Sequence, residues 1–180
     1  MGVPRTDGFF GNCDPKIKKN YRTRCSALIS FDKSNILIDT SPDLRQQLLH
    51  AKIKTISGVL YSHYHADQTH GINDLRIFSL NSGIKIPVYC DEMTSRYLKN
   101  NFSYCFKKNN DYDQILKLYK LKKKFKIRMS KKFLKVLSIP VRHGSINSIA
   151  YIIEKKIAYL SDVNEIYLRD MKYFKKLKYL

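Results

Sequence analysis

Three of the chain's five histidines fall within eight residues, at His63, His65 and His70. Asp67 lies among them in the run from Leu60 to Gly71, Leu-Tyr-Ser-His-Tyr-His-Ala-Asp-Gln-Thr-His-Gly. An extended chain turns alternate side chains to one side, so His63 and His65 present two imidazoles to the same point and Asp67 continues the parity. Imidazole and carboxylate together hold a divalent metal. With one position left to water, such an ion lowers the pKa of that water toward neutrality and makes hydroxide available at physiological pH. That is a hydrolase's device. A lone His-x-His pair arises often by chance, but His-x-His-x-Asp with a further His and a Gly behind an apolar strand is far more restrictive.

The surrounding elements must bring these side chains to one place. Ile56, Val59, Leu60 and Tyr61 precede the run, and Ile72, Leu75 and Phe78 follow it at helical spacing, so it reads as a loop between a strand and a helix. Upstream, Ser26 to Phe31 and Ile36 to Ile38 read as strands joined by the turn Asp32 to Asn35. Asp39 ends the second strand as a loop-fixing carboxylate, and Ser41, Pro42 and Asp43 open a helix carrying Leu44, Leu48 and Leu49. The helix after the site loop is predicted to run to about Leu80, stopped by Asn81, Ser82 and Gly83. A short strand from Ile86 to Cys90 follows, then a helix capped by Asp91 with Met93, Tyr97 and Leu98 on its apolar side.

From 99 to 132 the chain turns basic and aromatic. This stretch is expected to be an insert over the site, with Tyr104, Phe106, Tyr112, Tyr119 and Phe125 filling core and the lysines solvated; aromatics interleaved with lysines also suit single-stranded nucleic acid. Leu134 to Val141 is a strand delivering Arg142, His143, Gly144 and Ser145. Ser148 to Ile153 and Ile157 to Leu160 form a hairpin ending at Ser161 and Asp162, and a final basic helix is predicted from Val163 to Leu180. His143 and Asp162 thus each follow an apolar strand, as His63 does. A site built at one edge of a sheet sandwich would gather all three.

At 180 residues the chain suffices for one domain with a substantial core. A composition 43% hydrophobic and 27% charged excludes a disordered tail. Lys and Arg number 34 against 15 Asp and Glu, and the resulting +19 attracts phosphate-bearing molecules, nucleic acid included. Much of that excess is lysine of the kind a biased composition leaves on a solvated surface. Cys13, Cys25, Cys90 and Cys105 show no Cys-x-x-Cys spacing and read as free thiols of a reducing cytosol, with a structural zinc or a disulfide at Cys13 and Cys25 the other arrangement open. No apolar run approaches the roughly 20 residues of a membrane span, and Met1 leads into a polar segment without a signal-peptide core, so a cytoplasmic chain is predicted.

Beyond these patterns, Ser62 to Gly71 resembles the signature loop of the metallo-β-lactamase-fold hydrolases. Gly2 to Arg5, Cys13 to Pro15, Arg22 to Ser26, Ile36 to Arg45, His70 to Arg76 and Ser161 to Ile166 resemble the branch containing phosphoribosyl 1,2-cyclic phosphate phosphodiesterase. The resemblance implies an αββα sandwich of α/β (α+β) class over 1–180, with His63, His65 and His143 on a first metal, Asp162 bridging, and Asp67 serving a second metal or orienting the water. Gln68 stands where the family's commonest loop has a His ligand of that second metal, so Gln68 or His70 would have to supply it. One or two Zn2+ ions are implied, or Mn2+ where carboxylates dominate. Arg76, Arg142 and Ser145 are the expected phosphate contacts. Family members begin with a strand and Gly-rich turn before Gly2 and continue past Ile166 to a last ligating His, so the chain is expected to be incomplete at both ends. The implied activity is hydrolysis of a small cyclic phosphodiester by metal-bound hydroxide, with Asp67 and Asp162 catalytic and a small phosphorylated substrate as partner. The rivals are a nuclease of the same fold acting on RNA, a thioester hydrolase, for which no acyl-binding cue is present, and a catalytically lapsed basic binding protein.

Overall fold

The computed structural model describes residues 2–180. Strand β1 (Ala27–Phe31) turns at Asp32, φ +52°, into β2 (Ser34–Ile38), and the two pair antiparallel. From there the chain alternates strand and helix. Helix α1 (Leu44–Ala51) leads to β3 (Gly58–Leu60). The site loop follows with α2 (Ala66–Thr69), a 3-10 turn at Ile72–Leu75 and α3 (Arg76–Ser82). Then come β4 (Ile86–Cys90), α4 (Glu92–Asn101), α5 (Ser103–Phe106) and β5 (Leu116–Lys120). Strands with helical crossovers pair parallel, and β2, β3, β4 and β5 do so in that order, leaving β1 as the antiparallel edge. Asp91 caps α4 as predicted, accepting from the Thr94 N–H at 2.8 Å.

Both faces of this first sheet are covered, which is why β2, Ser-Asn-Ile-Leu-Ile, is buried along its whole length. Leu37, Val59 and Tyr61 face Leu44, Leu48, Ile72, Leu75 and Leu98 of the helical layer. Ile36, Ile38 and Leu60 face the other way, onto Ile127, Leu134, Val136, Ile149 and Tyr151. Those belong to a second, antiparallel sheet in the order β6 (Lys124–Arg128), β7 (Phe133–His143), β8 (Ile146–Ile153) and β9 (Ile157–Tyr159). Helices, sheet and sheet stack as the α+β sandwich read from the sequence. No helix among the described residues is long and apolar enough to cross a membrane.

Two expectations are corrected. The predicted helix from Val163 to Leu180 is absent; a 3-10 turn at Leu168–Tyr173 is its helical part. Its apolar residues Ile166, Tyr173, Phe174 and Leu177 dock on the outer face of the second sheet, over Ile139, Val141, Ala150 and Ile152. Its backbone groups are taken by strands, Arg142 N–H to Glu165 at 2.9 Å and Ala158 N–H to Tyr179 at 3.0 Å, so sheet pairing outcompetes helical bonding. The stretch 99–132 is likewise no insert over the site, because it ends α4 and supplies α5, β5 and β6, closing an edge of each sheet. Phe106 and Phe125 pack on the core, whereas Tyr104, Tyr112 and Tyr119 are exposed.

Candidate metal centre

The parallel strands β2 and β3 end side by side, and their carboxyl ends carry Asp39 and the run that begins at Ser62. Sites in such sheets form beyond the carboxyl ends of strands. The second sheet meets this edge directly, since the Ile149 N–H bonds the Ser62 carbonyl at 2.8 Å. The ends of β7 and β9 thereby bring in His143 and Asp162. One donor atom from each of His63, His65, His143 and Asp162 lies within 4.8 Å of every other. The three imidazole centroids are 4.6 to 5.1 Å apart, each pair edge to face. His65 Nδ1 and His143 Nε2 stand 3.3 Å apart, and His63 Nε2 is 3.5 Å from Asp162 Oδ2.

Behind His63 the hydrogen bonds fix which nitrogen faces the cluster. Asp39 is wholly buried and accepts from the Ser62 N–H at 2.7 Å and from Ser62 Oγ at 2.8 Å. Ser62 Oγ has one proton; having given it to Asp39, it can only accept from Ser161 Oγ, at 3.0 Å, and from His63 Nδ1, also at 3.0 Å. With Asp39 ionised, the His63 proton is therefore on Nδ1 and the lone pair on Nε2. That Nε2 is buried and has no hydrogen-bond partner among the described residues. Burial, and next the neighbouring His65 ring, lower the His63 pKa to about 4, so the imidazole is neutral at pH 7. A buried, neutral, unpartnered nitrogen lone pair aimed at two more imidazoles and a carboxylate fits a divalent metal. Burial also raises the Asp39 pKa, to about 7, against the opposing pull of its Ser62 bonds.

Asp67 is not in the group of four. The extended conformation that aligns His63 with His65 ends at His65, and Asp67 lies in the first turn of α2, so strand parity does not extend to it. Gln68 is fully buried, with Nε2 3.4 Å from Asp162 Oδ2 and 3.1 Å from Cys25 Sγ. His70 is exposed and shares a hydrogen bond with the Tyr97 hydroxyl at 3.1 Å. Of the two residues expected to substitute for a second-metal ligand, Gln68 is the one beside the cluster. Arg76 lies over the Tyr112 ring at 4.7 Å, Arg142 Nη1 is 3.3 Å from Glu165 Oε2, and Ser145 is exposed in the turn between β7 and β8. All four cysteines are free thiols, and burial raises the pKa of Cys25.

The beta-lactamase superfamily domain matches residues 34–178. The chain belongs to that superfamily. A diphosphatase of the PhnP family shares 30% identity and a TM-score of 0.81 over 98% of the chain, which spans 67% of that protein's chain. An octanoyltransferase of Porphyromonas gingivalis (strain ATCC BAA-308 / W83) is 30% identical over 99% of the chain, which spans 36% of that relative's length. Zn2+-bound PqqB from Methylobacterium extorquens has 19% identity and a TM-score of 0.62 over 83% of the chain and 56% of its own, a likeness of fold. Ser62, Ser161 and Cys25 all fall in segments that carry the family resemblance, but nothing in the sequence marks the first two as supports of the histidine ring or Cys25 as the neighbour of Gln68.

Proposed function

We propose that the chain carries the hydrolytic centre of a metal-dependent phosphodiesterase. The observation that carries this reading is the convergence of His63, His65, His143 and Asp162 about the buried, unpartnered Nε2 of His63. A diphosphatase of the PhnP family, similar over 98% of the chain and 67% of its own, supports phosphoryl chemistry. The octanoyltransferase is as similar in sequence, but the chain spans only 36% of its length, so its named activity is that of a much longer protein. Zn2+ suits three imidazoles and a carboxylate. Bound there, the ion supplies a Lewis acid for phosphoryl oxygens and brings water toward ionisation at neutral pH. Asp39, through Ser62, holds the His63 ring in one tautomer. Gln68 steadies Asp162 through its amide N–H. Asp67, on the first turn of α2, accepts the proton of the attacking water and orients it. Ser145, exposed in the turn just after His143, is the contact this reading assigns to the phosphate of a small cyclic phosphodiester, whereas Arg142 is paired with Glu165.

The test is metal analysis of protein purified without chelator, followed by rates on a model aryl phosphodiester, a small cyclic phosphodiester and a thioester. The reading expects tightly bound transition metal and phosphodiester hydrolysis that is lost in His143→Ala. Thioester turnover exceeding phosphodiester turnover would sink it, as would a well-folded, metal-free wild type that stays inactive after Zn2+ or Mn2+ is added.

A further inference from the structure

On the outer side of the second sheet, between β6, β7 and the C-terminal segment, runs a cleft of about 580 Å³ lined by Lys124, Lys126, Lys135, Lys155, Lys172 and Lys175. No acidic side chain lines it. Among the described residues the lysine ion pairs lie elsewhere, at Lys108, Lys123 and Lys131. The register makes the crowding costly. Lys126 on β6 stands directly opposite Lys135 on β7, a like-charge cross-strand pair that destabilises the hairpin it sits in. A local rule broken without structural gain marks a candidate binding surface.

A second cleft, of about 1030 Å³, opens beyond the ends of β4 and β5 and shares Lys172 and Tyr173 with the first. It adds Lys99, Lys120, Lys123 and Arg169. Its acids are already engaged: Asp91 caps α4, Glu92 pairs with Arg96, and buried Asp170 meets Arg169 and Lys123. The surfaces between the cations are apolar or aromatic. Leu137 and Ile152 line the first cleft; Leu118, Ile149 and the exposed ring of Tyr119 line the second. Tyr173 joins them, with the ammonium groups of Lys123 and Lys172 at 5.1 and 5.4 Å from its ring.

A single small phosphate ester would leave most of these cations idle, whereas a chain of phosphates spaced along the joined clefts would engage them in series. We propose that the two clefts form one track that binds single-stranded nucleic acid, its phosphates on the lysines and its bases against Tyr119, Tyr173 and the apolar floors. The track requires nothing of the metal centre, so it stands or falls apart from the phosphodiesterase reading.

Fluorescence anisotropy of the full chain with a labelled oligouridylate of about 12 nucleotides tests it, since such a strand matches the site sizes of known single-strand grooves. With the eight lysines of the joined clefts that are not paired to an acid engaged, log affinity should fall with log salt at a slope of about −6. The triple variant Lys124→Gln, Lys126→Gln, Lys172→Gln should weaken binding by about tenfold or more and flatten the slope by about 2. Lys16→Gln, Lys18→Gln, Lys19→Gln makes the same charge change on the N-terminal segment and should leave both near wild type. Tyr119→Ala should weaken binding without altering the slope. Equal losses from the two triples would reduce the effect to overall charge and overturn the track. Equal affinity for a duplex of the same length, or no binding at low salt, would overturn it too.

Discussion

The hydroxyl of Ser62 stands 3.0 Å from Nδ1 of His63 and, with its own proton committed to Asp39, can only receive the imidazole's. This one contact sets which face of the ring is basic. Partners that orient a metal-binding histidine typically contribute 10- to 100-fold in affinity. Ser62→Ala should therefore keep the fold and lower metal affinity by about that factor, measured by competition with a chromogenic chelator. Unchanged affinity would mean that packing alone holds the ring.

Removing a ligand should do more. His63→Ala and His143→Ala are each expected to abolish tight metal binding, and chelation should lower the wild-type melting temperature, because an ion that binds the folded state at 100 times its Kd adds about 2.7 kcal/mol. Identical melting curves with and without chelator would contradict a metal held by the native structure alone.

Gln68 sits beside Asp162 with an amide where an imidazole would add a ligand. Gln68→His should raise the stoichiometry of bound metal toward two, read by plasma emission analysis. No increase would indicate that an imidazole at position 68 beside Asp162 does not complete a second site.

Proton linkage gives two opposing slopes in chelator-treated protein. Burial raises the Asp39 pKa to about 7, so between its ordinary value near 4 and pH 7 the folded state holds a proton that the unfolded state has released; this stabilisation fades as pH rises through that window. His63 is lowered to about 4, so between pH 4 and its ordinary 6.5 the unfolded state binds the extra proton and stability rises with pH. The two contributions offset each other in the wild type. Asp39→Asn should leave a melting temperature that climbs from pH 4 to 6.5, and His63→Gln one that falls. Parallel profiles for the two variants would refute the assignment.

Gly71 is required by space. A Cβ there would lie 2.0 Å from the Ser41 carbonyl oxygen and 2.8 Å from Leu44 Cβ, where the site loop crosses the start of α1. Its N–H bonds the Thr40 carbonyl at 2.9 Å, so the backbone cannot retreat without losing that bond. Overpacking of this kind costs about 1–3 kcal/mol, and Gly71→Ala should lower the melting temperature by about 3–10 °C.

How far the sequence revealed all this depends on the range of each interaction. His63 and His65 are legible because two residues of extended chain suffice to align them. His143 and Asp162 are legible because β7 and β9 are strongly apolar and end where polar residues begin. The parity of Asp67 with the two histidines does not carry through, because one helical turn, α2, interrupts the extended chain after His65. The role of Ser62 depends on Asp39 across a strand pair, and adjacency in sequence does not show such a contact. The segment after Asp162 has apolar spacing compatible with a helix, but the second sheet offers its side chains a face and its backbone an edge.

The four donors are recruited evenly, His63 and His65 from the first sheet, His143 and Asp162 from the second. An occupant of that space works as a clasp between two leaves of a book whose spine is the apolar layer of Ile36, Ile38, Leu60 and Tyr151. Its grip reports whether the leaves are shut. Cavity-forming changes deep in that layer, such as Ile38→Ala, should thus loosen the clasp without touching it, and occupancy becomes a gauge of how closely the two sheets meet.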